Sequence, residues 1–123
     1  MGKCQVIEYQ GKKIVELDFQ NFTFKDVGEI RTIIAEAQKI ISAQPEKSVL
    51  TLTNCIGFRF SPEIVEIFNA FTEHNKPYVK SGAVIGIDGL QKLAYNAVMR
   101  FSGRNIPIFA DRQEALDWLV QQN

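Results

Sequence analysis

Histidine occurs once in the 123 residues, as His74, and cysteine twice, as Cys4 and Cys55. No Cys-x-x-Cys or His-x-x-x-His spacing gathers the three or four ligands that a metal needs, so no metal and no cofactor is expected. Charge of one sign is missing too: fourteen Lys plus Arg balance fourteen Asp plus Glu. That balance gives no basic field for nucleic acid and no acidic tail. Long hydrophobic runs are absent, the apolar stretches falling well short of the roughly 20 residues of a membrane helix. The first residues, Met1-Gly2-Lys3-Cys4-Gln5-Val6, lack the apolar stretch of a signal peptide, and position 6 is not the Ser or Thr of a myristoylation site. A cytoplasmic address is the expectation. Cys4 and Cys55 lie in or beside apolar strand-like runs and read as small buried hydrophobes rather than a disulfide.

What is present is apolar content of 46%, enough for one domain over residues 1–123. Residues 4–10 and 13–19 read as a hairpin turning at Gly11. Asp26 and Glu29 are spaced as a capping box for a first helix striped by Val27, Ile30, Ile33, Ile34, Ala37, Ile40 and Ile41 and ended by Pro45. Ser48 to Thr53 is a third strand. Ser61-Pro62 opens a second helix striped by Ile64, Ile67, Phe68 and Phe71, which Lys76-Pro77 closes. The fourth strand centres on Ala83-Val84-Ile85, apolar enough for burial on both faces. Asp88 and Gln91 have capping-box spacing for a third helix, expected to turn Leu90, Leu93, Ala94, Ala97, Val98 and Phe101 inward before Gly103 stops it. Ile106 to Phe109 is a short fifth strand, and Asp111 with Glu114 caps a last helix carrying Ala115, Leu116, Trp118 and Leu119. The order β-β-α-β-α-β-α-β-α predicts an α/β fold: a mixed five-stranded sheet begun by a hairpin, with four main helices and right-handed crossovers.

The stretch from Lys76 to Leu93, with Phe101-Ser-Gly-Arg-Asn-Ile-Pro-Ile-Phe109 and Glu114-Ala-Leu-Asp-Trp-Leu119, resembles the SpoIIAA-like group of STAS-related bacterial proteins. The motif-level likeness covers the second half of the chain, and the element order agrees over nearly all of it. The resemblance implies a β-α superhelical arrangement and a regulatory role, since the better-known relatives are anti-sigma factor antagonists and transporter-associated regulatory domains. CRAL-TRIO lipid-transfer domains are more distantly similar in fold. In STAS-type antagonists the turn from third strand to second helix carries a phosphorylatable serine, and Ser61 stands nearest that place. Here the Asp-Ser-Ser arrangement is missing and Pro62 follows directly, which is the pattern of an ordinary capped helix, so Ser61 reads first as a helix cap and second as a phosphorylation site.

Other candidates come from the residues alone. Residues 76–104 hold Lys76, Lys80, Lys92, Arg100 and Arg104 against Asp88, whereas the second helix carries Glu63, Glu66 and Glu73 with no Lys or Arg. Arg100 and Arg104 suit bidentate contact with an anionic group; the alternative is a solvated surface. Gly82, Gly86 and Gly89 match no nucleotide-loop spacing and read as turn and close-approach glycines. Phe22, Phe24, Phe58 and Phe60 fall in loops, where they line a pocket, cover a partner surface or plug the sheet ends. His74 fits a helix C-terminus better than a general base. Open α/β sheets place sites beyond the carboxyl ends of parallel strands, which selects Phe58, Arg59, Phe60, Ser61, Asp88 and Gly89. The expected function is a non-enzymatic regulatory module with a protein partner; a carrier or sensor of a small apolar, lipid-like or anionic ligand is the alternative. An exposed hairpin edge makes homodimerisation a side expectation.

Overall fold

The chain turns first at Gln10-Gly11, where φ is 49° and 79°. Two successive positive φ values suit the right-handed twist of a two-residue hairpin, and a glycine relieves one of them. The computed structural model describes residues 2–122. Strands β1 (Lys3–Tyr9) and β2 (Lys12–Asp18) pair antiparallel around this turn; β3 (Val49–Asn54), β4 (Val79–Ile85) and β5 (Ile108–Phe109) follow in parallel, in spatial order β1-β2-β3-β4-β5. The fifth strand is shorter than expected because Pro107 lacks an N–H and only its carbonyl joins β4, accepting from Val84 N.

Helices α1 (Val27–Ser42), α2 (Pro62–Asn75) and α3 (Lys92–Ser102) cover one face of the sheet, as successive crossovers of one hand require. The last helix, α4 (Arg112–Val120), covers the other. Strand alternation divides the core accordingly. Leu17, Val49, Cys55 and Val84 meet the three helices, while Ile14, Leu50, Leu52, Ala83 and Ile85 meet Ala115, Leu116 and Leu119 of α4. The fourth strand is buried on both faces. Trp118 packs its ring 5.3 Å from that of Phe109 at the border of the α4 core.

Helix starts differ from the spacing-based expectation in two places. Thr23 and Asp26, rather than Asp26 and Glu29, form the reciprocal box, over a short 3-10 turn (Phe24–Asp26). Asp26 Oδ2 accepts from Thr23 N at 2.8 Å and so cannot cap α1 itself. At α3, Asp88 Oδ1 accepts from Gln91 N, but the Gln91 amide does not reach back; its Oε1 accepts from Phe60 N at 2.7 Å. The inward stripe of α3 is corrected as well. Tyr95, Val98 and Ser102 are buried, whereas Leu90, Leu93 and Phe101 are 82%, 80% and 62% exposed. Spacings of three and four residues from Tyr95 define the face toward the sheet, Leu93 and Phe101 lie off it, and Leu90 precedes the helix.

Candidate functional site

Three loops meet beyond the carboxyl ends of β2, β3 and β4. Backbone hydrogen bonds tie them: Asn21 N to Ile56 O at 2.9 Å, Arg59 N to Phe22 O at 2.9 Å and Cys55 N to Ile85 O at 2.8 Å. Gly86, with φ 87°, lets the β3–α2 loop approach; a Cβ there would meet Ile56 Cα at 2.6 Å. Beneath the loops, the rings of Phe22, Phe58 and Phe68 lie 6.3, 5.9 and 5.4 Å from that of Phe19. Phe22 and Phe58 are therefore plugs of the sheet end. Phe58, expected at a partner surface, is corrected to a core residue, because its ring is enclosed by Phe19, Phe60 and Phe68. Phe24 is exposed.

The other candidate residues separate into two groups. On the outside, Arg59 and Asp88 pair at 3.2 Å with both side chains half exposed, linking the β3–α2 loop to the start of α3. Gly89 is exposed with open space around it. Arg100 is exposed on α3, and Ser61 caps α2, its Oγ accepting from Ile64 N at 3.3 Å. On the inside, Phe60 and Arg104 line a cavity between α2, α3 and the sheet. Arg104 is thus not a companion of Arg100. Gly103 adopts a left-handed φ of 69°, and Arg104 N donates to Met99 O, so the chain folds back under the helix.

That cavity measures about 50 Å³ and has a mainly apolar wall. Its polar lining comes from Thr51 and Thr53 on β3, Thr72 and Asn75 on α2, Tyr95 on α3, and Arg104. Thr72 donates to Phe68 O and Tyr95 to Ile106 O, the latter at 2.6 Å. Asn75 Oδ1 lies 3.1 Å from His74 Nδ1. No acidic side chain pairs with Arg104 among the described residues, and the one buried side-chain polar atom among them without a hydrogen-bond partner is Asn69 Oδ1 on α2. Burial pulls the Arg104 pKa below its ordinary value.

Burial pushes the Cys55 thiol up to about 12 and, with Glu36 nearby, Cys4 up to about 11, so neither is a ready thiolate at neutral pH. Both cysteines are free, and no group of three or more His, Cys, Asp or Glu among the described residues could hold a metal ion. No described helix is long and apolar enough to cross a membrane.

No protein-family model matches the chain, and no curated protein does. Solved structures do. An anti-sigma-factor antagonist (STAS) domain protein from Planctomyces limnophilus superposes with a TM-score of 0.66 at 14% identity, over 97% of this chain and 99% of that one. This chain has the SpoIIAA-like, or STAS, fold. An uncharacterised DUF3478-family protein from Shewanella loihica PV-4, itself described as SpoIIAA-like in fold, superposes at 0.67 with 20% identity, over 97% and 95% of the two chains. The STAS fold thus holds from the hairpin through α4, at identities that speak for architecture alone.

Proposed function

We propose that the protein is a non-catalytic regulatory module that docks a protein partner through the outer face of α3. The exposure of Leu90, Leu93 and Phe101 carries this reading. Leu93, Ala97 and Phe101 stand four residues apart in one row, and Lys92, Asn96 and Arg100 form the row beside it. An apolar row next to a basic one suits a partner segment whose apolar residues are flanked by Asp or Glu. Ile56, 46% exposed in the adjoining loop, and the Arg59–Asp88 pair extend the surface toward Ser61. A phosphate on Ser61 would sit at the α2 N-terminus, at the border of this surface, and would alter its charge.

The test places a photoreactive phenylalanine analogue at position 101 of the full chain in its source cells. The expected product is an adduct with one other protein, at an acid-flanked apolar segment, falling at least tenfold when Lys92 and Arg100 are both changed to Glu. Adducts no stronger than from position 113 on α4, or adducts with lipid or a second copy of this chain, would overturn the reading.

A further inference from the structure

On the sheet face that carries α4 we infer a second binding site: a polar depression at the carboxyl ends of β2 and β3 takes a sugar ring through a vicinal diol. Toward the α4 N-terminus each strand of this face turns from apolar to polar. Ile14 gives way to Glu16 and Asp18 on β2, Leu52 to Asn54 on β3, and Ile7 to Gln5 and Lys3 on β1. These residues are more than a wetted sheet end, because Glu16 and Asn54 are only 7% and 8% exposed and floor a depression of about 220 Å³. Arg112, bonded to Glu16, and Gln20 in the loop after β2 complete its lining. The site lies across the sheet from α3 and is independent of that docking surface.

The strand register sets out the recognition groups. Lys3, Asp18 and Asn54 are successive partners across β1, β2 and β3, so an ammonium, a carboxylate and an amide stand in one row on one face. Asp18 Oδ1 accepts from Gln20 N and Asn54 Oδ1 from Ile56 N, both at 3.0 Å, which fixes the two side chains and leaves Asp18 Oδ2 and the Asn54 amide N–H groups for a ligand. Asn69 Oδ1 is the one buried side-chain polar atom without a partner among the described residues, so the Asn54 Nδ2, which bonds no other described residue, opens to the depression. A carboxylate between two donors is complementary to two neighbouring hydroxyls, each donating to the carboxylate and accepting from Lys3 or Asn54. Lys3 and Arg112 balance Glu16 and Asp18, so the lining favours no ion of either sign. Its volume, roughly seven waters at about 30 Å³ each, holds one sugar ring rather than a chain of them.

Two glycosides titrated into the full chain labelled with nitrogen-15 are the probes: methyl ribofuranoside presents a cis diol and methyl glucopyranoside trans diols, while methyl deoxyribofuranoside has no vicinal pair. The expected result is saturable shifts at the amides of Asp18, Gln20 and Ile56 with at least one diol, which binds at least fivefold more tightly than the deoxyriboside. Asp18→Asn keeps an oxygen to accept from Gln20 N and should weaken that diol at least fivefold. Absence of saturable shifts in the depression with either diol, equal binding of the deoxyriboside, or an affinity unchanged by Asp18→Asn would overturn the site. The comparison among glycosides does not depend on the variant folding.

Discussion

The two faces of the sheet solve the burial of polar groups in opposite ways. On the α4 face the buried carboxylate of Glu16 is fully engaged: Arg112 Nε and Nη2 donate to its two oxygens at 2.7 and 3.0 Å, and Gln5 adds a longer contact at 3.3 Å. The Tyr9 hydroxyl to Asp117 at 2.6 Å and Lys12 Nζ to Val120 O at 2.8 Å fasten the hairpin to α4. On the three-helix face, Thr51, Thr53 and Arg104 are left around a cavity, and apolar side chains of α3 point outward. One face uses these polar side chains to hold the fold together, and the other turns large apolar side chains of α3 outward. An exposed apolar row on an otherwise well-packed domain is the usual place to look for binding.

The contrast can be broken most severely in the core of the three-helix face. Phe19→Ala removes the ring around which Phe22, Phe58 and Phe68 pack and should cost about 3–5 kcal/mol in urea unfolding. Next comes Arg112→Ala, which strands a buried carboxylate and should cost about 2–3 kcal/mol. It also carries a pH signature. The Arg112 hydrogen bond holds the Glu16 carboxyl below its ordinary range, so its stabilisation is full above the unfolded value of about 4.3 and is lost as pH falls through the lower folded value. Acid unfolding of the Arg112→Ala protein should be correspondingly less steep in that window. Ser61→Ala removes the α2 cap and should cost about 1 kcal/mol, read from the urea midpoint.

A further small change sharpens the comparison. Thr72→Val loses a hydroxyl bonded to the Phe68 carbonyl and should cost about 1 kcal/mol, read from the urea midpoint.

The order of elements was legible in the chain because each helix carries its own stripe and each strand its own run of β-branched residues. Ile30, Ile33, Ile34, Ala37 and Ile41 are buried as their spacing requires. The orientation of α3 was not legible, because Leu90, Leu93 and Phe101 are as apolar as core residues and periodicity cannot say which apolar row meets the sheet. Tyr95 decides it, through a hydroxyl bonded to the Ile106 carbonyl across the cavity. At α1 the Asp26–Glu29 spacing points one turn too late, because Thr23 competes for Asp26. Of the candidate site, the Arg59–Asp88 link between two loops follows the rule for parallel strand ends. Charge alone singles out Arg104 without separating it from Arg100, and the signal that turns it toward the cavity is the left-handed turn at Gly103.

The division of labour between the faces is tested most directly by Leu93→Asp, with stability and cross-linking from position 101 measured on the same protein. The account predicts a urea midpoint equivalent to within about 0.5 kcal/mol of the unaltered chain, as for an exposed position, together with loss of the partner adduct. A loss of more than about 2 kcal/mol, as for a packed core residue, or an adduct that persists undiminished, would contradict it.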